Sequence, residues 1–209
     1  MNVRITKLVF KLLFLSVFLI LGVQIYQTVH SSKSFPIKLV HIYNAPHVDH
    51  TELQQLLTPL LAHNFFAVDM EQVQDRLLQF SWVENVAIRR AWPDTIDIYV
   101  TEHQPIARWR DGSLLSASGN LFNPGSYKEA ADLPQFVGAD GEQETMLQYF
   151  NDLNRELSVL HAKITRLELA PYELWQLTLD NGIRLRLGHK NILTQLSQFV
   201  KVYPKIIGD

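Results

Sequence analysis

The chain has 209 residues and a formal net charge of -2, with 47% apolar and 19% charged residues. That composition excludes a wholly disordered or fibrous chain and gives no global electrostatic case for nucleic-acid binding. There is no cysteine, which removes disulfide scaffolds, thiolate zinc sites and thiol nucleophiles together.

Charge is unevenly spread. The first 32 residues carry +3, from Arg4, Lys7 and Lys11, and the remainder carries -5. An apolar run from Leu12 to Val23 follows the basic residues, and the wider window Leu8 to Val29 has 22 residues, about what a helix needs to cross a ~30 Å hydrocarbon layer. With Lys11 snorkelling at one end, this predicts an anchor with its N-terminus in the cytoplasm and everything after about residue 33 outside. A cleaved secretory signal is the rival reading, since the continuous apolar stretch has only 12 residues and Val29-His30-Ser31 is a tolerable cleavage site. Residues 1–7 are then a cytoplasmic tail, 8–29 the transmembrane helix and 30–34 a linker.

A strand is expected from Ile37 to Tyr43. Asp49 with Glu52, and Asp69 with Gln72, have capping-box spacing before helical apolar patterns. Leu53, Leu56, Leu57, Leu60 and Leu61 share one face of the first helix, which Pro59 should kink or shorten after Thr58. Val73, Leu77 and Phe80 do so in the second, expected to stop near Ser81-Trp82. Val86 and Ile88, then Ile96, Ile98 and Val100 across the turn Trp92-Pro93-Asp94, alternate with polar neighbours and predict a hairpin with one dry face. Residues 35–104 therefore read as a small α+β unit, with two helices on one face of a three-stranded sheet and a polar opposite face.

From residue 105 the pattern becomes strand-rich, marking a second domain over 105–209: Ile106 to Arg110, Leu114 to Phe122 interrupted at Ser118-Gly119-Asn120, and Phe136-Val137. A helix from about Gly141 to Leu160 and a strand at Thr165 to Leu169 follow. Trp175, Leu177 and Leu179, then Ile183, Leu185 and Leu187 with Arg184 and Arg186 between, flank Asp180-Asn181-Gly182. A three-residue loop with Gly182 left-handed sets Leu177 opposite Leu185 and keeps the apolar sides together, whereas a two-residue turn mixes them. The last helix, Lys190 to Tyr203, is expected to end at Pro204.

No motif supports catalysis, a metal or a cofactor. The sequence has no phosphate-cradling glycine loop, Gly-x-Ser-x-Gly elbow or His-Glu-x-x-His. His47, Asp49 and His50 read as a solvated turn, and Asp94 with Asp97 as a turn residue and an outward strand residue. Arg89-Arg90 and Arg184/Arg186 invite two readings, a solvated sheet face or a protein contact.

Three stretches carry a resemblance: Trp82-Val83-Glu84-Asn85-Val86-Ala87-Ile88-Arg89-Arg90-Ala91-Trp92-Pro93-Asp94, Glu102-His103-Gln104-Pro105-Ile106-Ala107-Arg108-Trp109 and Gly119-Asn120-Leu121-Phe122. Trp175 to Gly188 and Phe199 to Pro204 extend it. Together, in this order behind one N-terminal anchor, they resemble the FtsQ/DivIB family of bacterial cell-division proteins over nearly the whole chain. The resemblance implies a bitopic inner-membrane protein at the division septum, a POTRA domain (β-α-α-β-β) followed by a mostly antiparallel β-domain with flanking helices, and no catalysis. It implies a scaffold joining early and late division proteins, with FtsB and FtsL on the β-domain and proteins such as FtsK upstream. The expected contacts are Asn85, Ile88, Arg89 and Arg90 on the second POTRA strand, and Arg184, Leu185, Arg186 and Leu187 with Phe199, Val202 and Tyr203 in the β-domain. An outward Arg89 should be replaceable by Glu without harm to the fold. The sequence stops at Asp209, before the strand the family uses for FtsB, which predicts weak FtsB binding and an exposed edge. A POTRA component of secretion or outer-membrane assembly is the alternative; it calls for tandem repeats or a barrel.

Overall fold

The computed structural model describes residues 3–30, 35–62, 64–171, 174–188 and 190–207. The expected linker residues Ser31 to Ser34, with the last residue of the candidate cleavage site, lie outside them, as do Gly208 and Asp209. The chain divides into two units, Met1–Glu102 and His103–Asp209.

Helix α1 is Val3–His30. Its window Phe10–Gln27 has a mean hydropathy of 1.7 and is long and apolar enough to cross a membrane. Every side chain in that window is exposed, as expected of a helix apolar all round whose neighbours are lipid.

The rest of the first unit follows the order β1 (Leu39–Tyr43), α2 (His50–Leu61), α3 (Met70–Leu77), β2 (Val83–Ala91) and β3 (Thr95–Glu102). The sheet order is β1-β3-β2, with β1 parallel and β2 antiparallel to the central strand. Asp49 caps α2 by accepting from the amides of Thr51 and Glu52, and Asp69 caps α3 by accepting from Gln72. Leu53, Leu57 and Leu61 of α2, Val73 and Leu77 of α3, and Val86, Ile96, Ile98 and Val100 of the sheet are buried. Gln74 donates to the carbonyl of Val86 and fastens α3 to β2.

Three expectations fail here, the first being the end of α3, which closes at Leu77 and leaves Phe80 outside it rather than running to Ser81-Trp82. α2 continues through Pro59 to Leu61: the proline stands in the last turn, where its missing N–H forfeits one bond to Gln55 and leaves the earlier ladder untouched. The strand begins at Leu39 rather than Ile37 because the amides of Lys38 and Leu39 both go to the Asp94 carbonyl in the hairpin turn.

The second unit runs β4 (Pro105–Arg108), β5 (Leu114–Ser116), β6 (Leu121–Phe122), β7 (Gln135–Val137), α4 (Gln143–Leu157), β8 (Ile164–Ala170), β9 (Leu174–Leu179), β10 (Arg184–Leu187) and α5 (Ile192–Ile207). They form one seven-stranded sheet in the order β10-β9-β8-β7-β4-β5-β6. It is mostly antiparallel, but β7 runs parallel to both β4 and β8. Met146, Leu147, Leu153 and Leu157 of α4 pack with Ile192, Leu196 and Val200 of α5 onto Leu167, Trp175, Leu177 and Leu179. Gly182 has φ 84° and Leu185 opposes Leu177. The amide of Leu179 donates to Ile183 at 2.9 Å, so the three-residue loop and its register hold. α5 runs past Pro204 to Ile207. Proline costs the helix a bond to Val200, yet its fixed φ is compatible with helical backbone, and the turns before it are anchored in the core.

Candidate partner-binding surfaces

Each sheet has one face under helices and one without them, and the residues expected to bind partners divide between these faces. On β2, alternation sends Val86, Ile88 and Arg90 to the helix side and Asn85, Ala87 and Arg89 to the other. Ile88 is half-buried opposite Ile98, so it belongs to the covered side rather than to an outward contact. Arg90 donates from Nε to the Phe65 carbonyl at 3.1 Å and from a terminal nitrogen to that of Val68 at 2.7 Å. The expected Arg89-Arg90 pair is thus split: Arg90 ties down the segment between α2 and α3. Asn85 is exposed, and its side-chain oxygen accepts from the Val86 amide.

Arg89 sits in a rung that the sequence did not reveal. It lies opposite Asp97, and Asp97 lies opposite His41 on the far strand. The guanidinium donates to one Asp97 oxygen at 2.8 Å, and His41 Nδ1 lies 3.1 Å from the other. The next rung stacks Tyr43 on Tyr99 at 4.8 Å, with Arg89 above the Tyr99 ring. Asp97 is only 5% exposed, so the plain reading of it as an outward strand residue is wrong in one respect: its neighbours cover it. The hydrogen bond from Arg89 holds the Asp97 carboxyl below its ordinary value against the opposing cost of burial, with His41 adding to the lowering. The same bond raises Arg89. Substituting Glu for Arg89 would set a second carboxylate against Asp97, so the fold does not ignore that change. Residues two apart in sequence, His41 and Tyr43 on β1, Asp97 and Tyr99 on β3, were the available signal, but only the parallel β1–β3 register shows that they meet.

The turn at His47 is likewise occupied structurally. His47 bonds Glu102 through both its amide and its ring, at 2.9 and 2.6 Å, and stacks on Trp82. Asp49 serves the α2 cap, and its carboxyl is lowered by the Glu52 and Thr51 amides. No group of three potential metal ligands occurs among the described residues.

In the second unit β10 is an edge strand. Leu187 is in the core, and Leu185 is half-buried against it. Arg184 and Arg186 are exposed on the helix-free face. They line a groove of about 700 Å³ with Arg166, Glu168, Gln176 and Thr178. Arg166 is engaged with Glu168 and Gln135. α5 meets the same edge from the other side. Its Gln195 accepts from the Gly188 amide just after β10, and Tyr203 OH accepts from Asn181 in the β9–β10 loop. Phe199 and Tyr203 rings pack at 5.1 Å, and Val202 is 49% exposed. Of the seven expected residues of this unit, four thus lie on the edge strand β10; Tyr203 of α5 reaches the β9–β10 loop with Phe199 packed beside it, and Val202 is exposed on α5.

Residues 35–103 match the family model of the FtsQ-type POTRA domain, and residues 107–208 match that of the C-terminal part of cell division protein FtsQ/DivIB. The chain is 33% identical over 182 residues to a cell division protein FtsQ of Coxiella burnetii, covering 87% of this chain and 75% of that one. To the Vibrio cholerae protein of the same name it is 31% identical over 198 residues, 92% of this chain and 76% of the other. The Shewanella oneidensis protein is 29% identical over 184 residues, with 88% and 70% covered.

Proposed function

Because the chain belongs to the FtsQ/DivIB family of cell-division proteins, we propose that it serves the division machinery as a membrane-tethered scaffold with no chemistry of its own. In this reading α1 crosses the inner membrane once, with Arg4, Lys7 and Lys11 on the cytoplasmic side, in line with the preference of basic residues for that side. Both folded units then stand in the periplasm at the septum. The first, over residues 35–104, takes upstream proteins such as FtsK along β2, through Asn85 and Arg89. The second, over 105–209, takes FtsB and FtsL at β10 and α5.

The observation that carries the reading is the β10 edge. An edge strand with free backbone groups accepts an added strand, and side chains on its two faces then select the sequence added. Arg184 and Arg186 beside that edge are exposed, and an acidic partner segment would pair with them by charge-assisted bonds. The test is a full-length chain carrying Arg184→Glu and Arg186→Glu, examined with a fluorescent tag in dividing cells and by co-purification with FtsB. We expect a midcell band, with FtsB capture reduced below the level, itself expected to be weak, of the unsubstituted chain. Undiminished FtsB capture refutes the β10 assignment, and uniform envelope fluorescence of the unsubstituted chain refutes the scaffold role.

A further inference from the structure

The start of β1 and the turn before β3 lie at one end of the first unit's sheet. Leu39 pairs with Thr95 in the parallel ladder. The Lys38 and Leu39 amides donate to Asp94 at 2.9 and 3.4 Å, and the Lys38 ammonium reaches the Asp94 carboxylate at 2.9 Å. The segment after α2 joins them: the Phe65 amide donates to the Phe35 carbonyl, and Pro36 bridges Asn64. Three aromatic rings meet solvent there. Phe35 and Phe66, edge to face at 5.3 Å, are 41% and 45% exposed, and Trp92 in the turn is 76% exposed. Phe35 has φ 61°, a left-handed backbone that large side chains avoid and that surrounding contacts must impose.

The covalent chain says what lies opposite this end. α1 closes at His30, and the five steps from there to Phe35 span at most about 18 Å, whatever path they take. If α1 crosses the bilayer, Phe35 cannot leave the neighbourhood of the membrane surface. The indole suits the headgroup layer, where its apolar body and its N–H are both accommodated, and phenyl rings beside it bury apolar area at the boundary with the acyl chains. We infer that this end of the unit, through Phe35, Phe66 and Trp92, inserts into the lipid headgroup layer next to α1. The contact makes a second, peripheral attachment to the bilayer, and it sets the angle at which the β1 and β2 edges are presented. It rests on α1 spanning the membrane.

Trp92 reports on itself. The other three tryptophans, Trp82, Trp109 and Trp175, are 8%, 1% and 3% exposed, so the emission difference between the unsubstituted chain and Trp92→Phe isolates the turn. The full-length protein is reconstituted in vesicles of phosphatidylethanolamine and phosphatidylglycerol, with or without bromine on the upper acyl carbons. An indole seated at the interface should lose emission to the brominated lipid, and Phe66→Ser should reduce that loss. Alkaline extraction of the same vesicles separates the two premises. Protein washed off the vesicles overturns the spanning helix and this contact with it. Protein retained, with Trp92 emission equal in both lipids and quenched by iodide from the buffer, overturns the lipid contact alone.

Discussion

Replacing Arg90 by Ala should loosen the segment between α2 and α3 without touching the helix-free face. The guanidinium supplies two bonds to backbone carbonyls, at 3.1 Å to Phe65 and 2.7 Å to Val68. A charged donor contributes about 1.5–3 kcal/mol per bond where its acceptor would otherwise be stranded. Arg90 is exposed as a residue, so water reaches the vacated carbonyls and the combined cost falls to about 2 kcal/mol. The segment has little else to replace it: the amides of Ala67 and Val68 both turn back to the Asn64 carbonyl, and the Phe66 amide goes to the Asn64 side chain. About 2 kcal/mol is roughly a 30-fold change in a local opening equilibrium. Hydrogen exchange of the full-length protein reads it directly in the amides from Phe65 to Val68. Arg89→Ala serves as the comparison, because Arg89 bonds across the other face and leaves those carbonyls paired. Exchange unchanged in Arg90→Ala, or accelerated equally in both variants, would refute the division of labour between the two arginines.

Acid should weaken the first unit through Asp97. Its folded carboxyl lies below the ordinary value of 3.8, so the unfolded chain binds the proton first; the contribution is complete above that value and is lost as pH falls below it. Thermal melting compared between about pH 6 and about pH 3 should show a steeper fall for the unsubstituted chain than for Asp97→Asn; equal slopes would remove Asp97 as a source. In the second unit, a methyl group at Gly138 would stand 2.6 Å from the Met146 sulfur and 3.5 Å from the Trp109 ring. Gly138→Ala should cost about 1–3 kcal/mol in denaturant unfolding, and a neutral outcome would mean that Met146 yields without loss.

Legibility from sequence followed the range of the interaction concerned. Local rules located the α2 and α3 caps, the left-handed Gly182 and the Leu177–Leu185 register, because each is set within a few residues. Both prolines were over-weighted, since a helix held by packing tolerates one missing N–H near its end. Long-range partners stayed hidden. Nothing local to Arg90 announces carbonyls more than twenty residues away, and nothing local to Asp97 announces His41, 56 residues distant. Adjacent arginines read as one basic patch in a string, whereas strand alternation puts them on opposite faces of a sheet. On β10 the hairpin register alone put Arg184 and Arg186 on one face and Leu185 and Leu187 on the other, with no distant partner needed.

The two helix-free faces differ in how much binding energy they hold in reserve. On the first unit the Arg89 charge already has Asp97, and Asp97 has His41 as well. A partner recruited there by charge must exchange one pairing for another, so its gain is the difference between two similar terms, and selectivity rather than strength is what such a surface supplies. On the second unit Arg166 is engaged by Glu168, but Arg184 and Arg186 are exposed on β10, an edge strand among the described residues. In the proposed scaffold, a segment added there would extend the hydrogen-bond ladder and neutralise exposed cations that have no carboxylate partner among the described residues. If both surfaces serve as proposed, the pairings predict an affinity hierarchy, read as dissociation rates: slow release from the β10 surface and fast exchange at the β2 surface.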